Sequence, residues 1–146
     1  MPIKVVIADD QPFVIEGLKA VLKKTADDII VVGEAANGNQ VLEIAQKTPA
    51  DIYVLDISMP FLNGLETMAR LLHKDKKTKI IILSKQDDRP TVEYALRAGA
   101  RGYLTKESVT EDIVGALRAV YHGQYYLSPS VSRFAIVNIP DASKTI

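Results

Sequence analysis

Five polar residues each stand at or just after the end of a short apolar run. In chain order they are Asp9, Asp10, Asp56, Ser84 and Lys106. Three carboxylates that meet repel one another, and a hard divalent cation such as Mg²⁺ relieves the repulsion because it prefers oxygen ligands. A lysine and a hydroxyl beside such a cation are the groups needed to hold a phosphoryl group. The residue types therefore indicate phosphoryl chemistry, provided that the fold brings them together.

The apolar runs themselves predict five strands. Most are continuous rather than alternating, as in strands that are buried on both faces of a parallel sheet. The runs span residues 5–8, 29–32, 52–55 and 80–83, with a weaker run at 102–104. Segments of helical period separate them. A strand and a helix repeated in this way predict an α/β fold with a doubly wound, flavodoxin-like parallel sheet of strand order 2-1-3-4-5.

The last predicted helix marks the end of this pattern. A capping-box pattern begins at Ser108, and Gly123 stands where the helix should stop. Two prolines and a polar end follow. We therefore expect a domain over residues 1–123 and a linker or tail over residues 124–146, with one short helix around residues 130–136.

Ligands of open α/β sheets bind beyond the carboxyl ends of the strands. Strands 1 and 3 are neighbours in the predicted order, so the three aspartates should meet at one point of this edge. Ser84 and Lys106 approach it from the other side. Each residue alone has an ordinary explanation; Asp10, for example, is of a type that caps helices. Together they are hard to explain as structure, because clustered acids destabilise a fold.

Composition excludes several other classes of protein. The 18 basic and 18 acidic residues balance, whereas a free-standing nucleic-acid binder usually has a basic excess. With two His and no Cys, a multi-His metal site and disulfide or thiol chemistry are excluded. No apolar run approaches the length of a membrane span, and no signal peptide precedes the first strand. We therefore expect a cytoplasmic protein with no membrane part.

In order and spacing, these residues and their neighbours resemble the receiver domain of two-component response regulators. The similarity covers about the first 123 residues and includes Asp9-Asp10, residues 56–64, Leu83-Ser84 and residues 102–106. Residues 97–107 and 126–129 are similar to the NarL/FixJ branch, also called LuxR-type. Members of that branch usually continue into a helix-turn-helix domain. We therefore expect that the chain is cut before such a domain, and that DNA is bound only through it.

The resemblance implies a phosphoacceptor and a metal site. Asp56 would accept a phosphoryl group from a phospho-histidine of a sensor histidine kinase. Asp9, Asp10, Asp56 and the backbone carbonyl of Ser58 would bind Mg²⁺. The protein would be a signalling phosphoacceptor rather than an enzyme, with self-catalysed phosphotransfer and autodephosphorylation only.

The resemblance also implies a switch. Ser84 and Lys106 would bind the phosphoryl group, and Tyr103 would turn inward when Ser84 moves, although a half-buried strand aromatic is the ordinary alternative for Tyr103. The switch would act on a face formed by helix 4, strand 5 and helix 5, with homodimerisation as one outcome. Ser58 and Gln86 occupy the two positions that tune dephosphorylation in the family.

The sequence departs from the family pattern beside the phosphoryl site. Lys85 follows the switch hydroxyl, where the family usually has a small or apolar residue, and Glu107 replaces a frequent proline. Lys85 is thus a candidate modifier of access, which either slows the phosphodonor or attracts phosphate. It is also the one feature in favour of a receiver-like domain that binds partners without phosphorylation.

Two other classes with related features fit less well. A phosphatase of the haloacid-dehalogenase type requires Asp-x-Asp after the first strand, whereas this strand ends in Asp9-Asp10-Gln11. A flavodoxin requires a Ser/Thr-rich phosphate loop at the same place, where two aspartates would repel the phosphate of FMN.

Overall fold

The computed structural model describes residues 2–135, in which six parallel strands form one sheet of order β2-β1-β3-β4-β5-β6. The strands are β1 (Ile3–Ala8), β2 (Ile29–Ala35), β3 (Ile52–Asp56), β4 (Lys79–Ser84), β5 (Gly102–Thr105) and β6 (Tyr126–Leu127). The helices are α1 (Pro12–Thr25), α2 (Gly38–Lys47), α3 (Gly64–Lys74), α4 (Arg89–Arg97) and α5 (Val109–Tyr121), followed by a 3-10 helix (Pro129–Phe134). The predicted fold class and the order 2-1-3-4-5 are confirmed, and a short sixth strand is added.

The helices cover both faces of the sheet and bury two apolar cores. One core packs α1 and α5 against one face, and the other packs α2, α3, α4 and the 3-10 helix against the opposite face. Every residue of β3 is buried, which explains why its sequence is a continuous apolar run. A rigid, doubly covered sheet of this kind holds the carboxyl ends of its strands at fixed positions.

The sixth strand was missed because two residues carry no periodic signal. It pairs with β5 through a bond that the Tyr126 amide donates to the Arg101 carbonyl (3.1 Å), and the Ser128 amide donates to the Tyr103 carbonyl (3.0 Å). The predicted short helix corresponds to the 3-10 helix, and position 136 of that prediction lies outside the described residues. The boundary at residue 123 stays a prediction.

The start of α5 corrects one detail of the sequence analysis. The predicted capping box at Ser108 is wrong, because the Ser108 side chain makes no capping bond. Its hydroxyl instead donates to Asp112 Oδ2 at 2.7 Å. The predicted stop at Gly123 is confirmed: α5 ends two residues earlier, and Gly123 has a φ of 86°, which glycine adopts without strain.

None of the helices within residues 2–135 combines the length and the apolar character needed to cross a bilayer.

Candidate functional site

The polar residues predicted to carry chemistry lie at one edge of the sheet. Asp56 and Ser84 are the last residues of β3 and β4, while Asp9 and Lys106 directly follow β1 and β5. Since β1, β3, β4 and β5 are consecutive neighbours in the sheet, their carboxyl ends form one continuous rim. The parallel register, and not sequence proximity, brings these residues together.

Three carboxylates converge at this rim. One oxygen from each of Asp9, Asp10 and Asp56 lies within 4.8 Å of the other two. Asp9 and Asp56 are only 1% and 2% exposed, whereas Asp10 is open to solvent. The N-cap of α1 is Gln11, so Asp10 does not serve as the cap of that helix. Its position is therefore explained better by the cluster than by the helix.

Lys106 reaches across the rim to the two buried acids. Its Nζ lies 2.9 Å from Asp9 Oδ2 and 3.1 Å from Asp56 Oδ2. It also donates to Gln11 Oε1 at 3.3 Å, while the Lys106 amide donates to the Ser84 carbonyl at 2.9 Å. The lysine is thus fixed at its backbone by β4 and at its ammonium by β1 and β3.

The ionisation of the cluster reflects its burial. Burial raises the pKa of Asp56, the charge of Asp9 adds to this effect, and Lys106 opposes it. Burial alone would lower the pKa of Lys106, but its interactions with the carboxylates of Asp9 and Asp56 together raise it. The native fold therefore holds Lys106 charged and makes a second negative charge beside Asp9 unfavourable.

One oxygen of the cluster is short of a partner. The ammonium of Lys106 forms an ion pair with Asp9 Oδ2 in an orientation that makes no hydrogen bond, so this oxygen has no hydrogen-bond donor within residues 2–135. Buried polar oxygens are usually satisfied, and an unsatisfied one marks a place for a missing ion or water. Three carboxylates, one of which has a buried oxygen that takes part in an ion pair but in no hydrogen bond within the described residues, fit a hard cation such as Mg²⁺.

The loop after β3 is shaped around Asp56. The Ser58 amide donates to Asp56 Oδ1 at 3.2 Å, which orients the carboxylate. Gly64 packs so closely that a Cβ at this position would lie 2.2 Å from the Asp56 carbonyl oxygen. No side chain larger than hydrogen is therefore tolerated at Gly64 without moving the backbone of Asp56.

The segment after β4 is held on both sides. Ser84 Oγ accepts a hydrogen bond from the Gln86 amide at 2.9 Å, and the Gln86 carbonyl accepts one from the Tyr103 hydroxyl at 2.6 Å. Tyr103 is fully buried in the core rather than half-buried as a strand aromatic, and its inward turn stays a prediction. Burial raises the pKa of the Tyr103 hydroxyl, while an interaction with Ser84 opposes that rise. Ser84 and Tyr103 are thus physically connected.

A cavity of about 230 Å³, which we call the rim cavity, opens at the carboxyl ends of the strands beside Asp56. It is lined by Asp10, Gln11, Asp56, Ser58, Ser84, Lys85, Gln86 and Lys106. Every one of these residues except Gln11 was predicted from the sequence. Gln11 was missed because only the tertiary contact with Lys106 gives it a role; its place directly after the paired aspartates was the available signal.

Comparison with known proteins identifies the family. A family model described as the response regulator receiver domain matches residues 5–118. The chain is 37% identical over 131 residues to the nitrate/nitrite response regulator protein NarL of Escherichia coli K12, covering 90% of this chain and 60% of NarL. It is 31% identical over 143 residues to the response regulator UvrY of the same organism, covering 98% of this chain and 65% of UvrY. The chain thus spans less than two thirds of these relatives.

Solved structures agree with this family. The isolated REC domain of RcsB from Salmonella enterica serovar Typhimurium, solved with the phosphomimetic BeF3⁻, superposes with a TM-score of 0.84 at 26% identity, covering 92% of this chain and 99% of that one. A LuxR-family two-component response regulator from Aurantimonas sp. SI85-9A1 gives a TM-score of 0.85 at 28% identity, covering 91% and 94%. The similarity therefore extends over almost the whole described chain.

Proposed function

The chain belongs to the response regulator receiver domains of the NarL/FixJ type, and from this premise we propose that Asp56 is its phosphoacceptor. The observation that carries the proposal is the environment of Asp56. Its carboxylate is buried at the end of β3, lines the rim cavity, and lies 3.1 Å from the Lys106 ammonium. With the family established, a haloacid-dehalogenase-type phosphatase and a flavodoxin have no remaining support.

The proposed reaction is an in-line phosphoryl transfer. An oxygen of the Asp56 carboxylate attacks the phosphorus of a phospho-histidine on a sensor histidine kinase. The new P–O bond forms as the P–N bond breaks, and the histidine nitrogen leaves with the electron pair. Lys106 offsets negative charge as it accumulates beside Asp56. Most of the catalysis in this class of reaction is positioning and charge stabilisation, which a rigid rim supplies.

The metal site is proposed at the acidic cluster. Asp9, Asp10, Asp56 and the carbonyl of Ser58 would hold Mg²⁺. The buried Asp9 oxygen that accepts no hydrogen bond within the described residues supports this assignment. When bound, Mg²⁺ neutralises negative charge on the oxygens of a transferring phosphoryl group. The orientation of the Asp56 carboxylate is already fixed by the hydrogen bonds that it accepts from the Ser58 amide and from Lys106.

The switch is proposed to start at Ser84. A phosphoryl group on Asp56 offers strong acceptor oxygens to the Ser84 hydroxyl and to Lys106. Movement of Ser84 would pass through the Gln86 backbone to the Tyr103 hydroxyl, because each is hydrogen-bonded to the next. The face formed by α4, β5 and α5 would then change its surface. Ser58 and Gln86 line the same cavity and are proposed to set the rate of autodephosphorylation.

The output is proposed to be control of transcription. A relative from Bacillus subtilis, 38% identical over 128 residues with 88% of this chain and 59% of the relative covered, is named a transcriptional regulatory protein, YhcZ. A solved structure of RcsB contains two dimers bound to DNA. We propose that residues 1–123 act as the receiver, that residues 124–146 lead to a helix-turn-helix domain that binds DNA, and that phosphorylation favours a homodimer.

Intact-mass measurement tests the phosphoacceptor. Wild type and Asp56→Asn are incubated with Mg²⁺ and either acetyl phosphate or beryllium fluoride. We expect one phosphoryl group or one fluoroberyllate adduct on the wild type and none on the variant. Equal labelling of the variant would place the acceptor on another residue. A wild type that binds Mg²⁺ but gains neither adduct would favour a receiver-like domain that works without phosphorylation.

A further inference from the structure

Lys85 lines the rim cavity but has no part in the roles proposed above. The structure assigns to Lys85 the role of a second cation of the phosphoryl site: it attracts anionic phosphodonors to Asp56 and selects for those of higher negative charge. This inference rests on the proposed function, because it needs Asp56 to be the acceptor. The sequence leaves two effects open for Lys85: slower access of the phosphodonor, or attraction of phosphate. This inference favours attraction.

The backbone holds Lys85 at the cavity. The residue lies between Ser84, whose carbonyl accepts from the Lys106 amide at 2.9 Å, and Gln86, which is bonded on both sides. The Gln86 amide donates to Ser84 Oγ, and the Gln86 carbonyl accepts from Tyr103. A residue between two such anchors has little freedom to leave the rim, although its own side chain is exposed.

The ammonium of Lys85 is available to a ligand. Within residues 2–135 it makes no ion pair or hydrogen bond, unlike Lys106, whose charge is shared between two aspartates. The nearby carboxylate of Asp88 is already used at the start of α4, where it accepts from the amide and the hydroxyl of Thr91 at 3.1 and 2.7 Å. Within the described residues Asp87 makes no ion pair with Lys85 either, so Lys85 brings to the cavity wall a positive charge that no carboxylate binds.

The acidic cluster does not attract the donor by itself. With Mg²⁺ bound, the three carboxylates are balanced by the ion and by the ammonium of Lys106, so the cluster supplies no net positive charge to an anionic phosphodonor. Long-range attraction raises the local concentration of a charged donor and its rate of capture. A further cation at the wall supplies such attraction, and the benefit grows with the negative charge of the donor.

Acetyl phosphate provides a suitable probe of this effect. An Asp56 oxygen forms a bond to its phosphorus, the bond from phosphorus to the bridging oxygen breaks, and acetate leaves with the electron pair. Acetyl phosphate carries two negative charges at neutral pH, whereas phosphoramidate carries about one. An electrostatic role for Lys85 therefore predicts a larger effect on acetyl phosphate than on phosphoramidate.

The test compares Lys85→Met, which keeps length but removes charge, with Lys85→Arg, which keeps charge. Lys76→Met is the matched control. Lys76 is exposed and lies between α3 and β4, at the amino-terminal ends of the strands, opposite the cavity. Initial rates of labelling at Asp56 are measured by intact mass with Mg²⁺ and each donor, at low and high salt. Thermal unfolding confirms that the exposed substitutions leave the fold intact.

We expect Lys85→Met to slow labelling by acetyl phosphate roughly three- to tenfold at low salt, with a smaller loss for phosphoramidate. High salt should narrow the difference from wild type, because screening weakens the attraction. Lys85→Arg and Lys76→Met should match wild type. An unchanged or faster rate in Lys85→Met, or equal losses with both donors, would overturn the role of Lys85. A wild type that is not labelled at Asp56 at all would overturn the proposed function itself, and the inference with it.

Discussion

Two polar clusters, each with at least one buried carboxylate, lie near the end of β5, and they are built in opposite ways. In the rim cluster, Asp9 and Asp56 share one ammonium, and one oxygen of Asp9 has no hydrogen-bond donor within the described residues. In the second cluster, the hydroxyls of Ser108 and Ser128 donate to Asp112 Oδ2 at 2.7 and 2.9 Å. Both clusters contain acids that are less than a tenth exposed.

The second cluster, which we call the tail cluster, satisfies all of its groups. The Tyr126 hydroxyl donates to Asp112 Oδ1 at 3.0 Å, and Ser128 Oγ accepts from the Thr105 amide at 3.0 Å. A single charge surrounded by hydroxyl donors stabilises a fold, whereas two charges with one shared cation do not. The tail cluster therefore serves structure by fixing β6 to α5, and the rim cluster is left incomplete for chemistry.

Addition of Mg²⁺ should separate the two clusters most clearly. We expect the free energy of unfolding of wild type to rise by about 2.7 kcal/mol at a Mg²⁺ concentration 100 times its dissociation constant, because only the folded rim cluster binds the ion. Asp10→Ala should lose most of this gain. Denaturant titration with Mg²⁺ or with EDTA measures both, and an equal gain in the variant would remove Asp10 from the site.

Asp112→Asn should break the tail cluster. The substitution removes a charged acceptor from three hydroxyl donors, so we expect the free energy of unfolding to fall by about 2 kcal/mol. Urea denaturation measures the loss, and labelling of Asp56 by acetyl phosphate should still take place. A stability equal to wild type would show that the hydroxyls find other partners.

In the absence of metal, Asp56→Asn should raise the free energy of unfolding, whereas Asp112→Asn lowers it. Because the pKa of Asp56 is raised by burial and by Asp9, its charged form destabilises the fold, and a neutral side chain of the same shape relieves that cost. We expect a gain in the free energy of unfolding in EDTA that is smaller than the loss caused by Asp112→Asn. A clear loss in the same urea titration would mean that the ion pair with Lys106 outweighs the repulsion.

The smallest effect on stability is expected at an exposed ion pair, Arg118 with Asp28, that belongs to neither cluster. Arg118 donates to Asp28 at 2.7 and 3.0 Å and thereby lowers the pKa of Asp28. A carboxyl group whose pKa is lower in the folded than in the unfolded state stabilises the fold at pH values above its unfolded-state pKa. This contribution is lost as the pH falls through the folded-state pKa. The difference in melting temperature between wild type and Asp28→Asn should therefore be small near neutral pH and vanish in strong acid. A difference that grew in acid would contradict this sign.

Much of the fold was predictable because its local signals agree. Continuous β-branched runs such as Ile80–Leu83 predicted buried parallel strands, and the strand ends predicted which acids would meet. The capping box at Ser108 failed for a tertiary reason. The Ser108 hydroxyl donates to Asp112 and accepts no hydrogen bond from the amides of the first turn. The burial of Asp112 beside Ser128 is visible only when β6 is in place.

The types of residue in the sequence determined which chemistry is available: acids, a hydroxyl and a lysine at the ends of buried strands. Only the tertiary structure decided how their charges are shared. The lysine at position 106 contacts Asp56, 50 residues away, and Gln11, 95 residues away. One buried oxygen of Asp9 accepts no hydrogen bond within the part of the chain that the structure describes. Ionisation and hydrogen-bond satisfaction depend on such distant contacts, and no local pattern encodes them. The same reason distinguishes two lysines of the cavity: Lys106 forms ion pairs with two aspartates, whereas Lys85 forms none within residues 2–135.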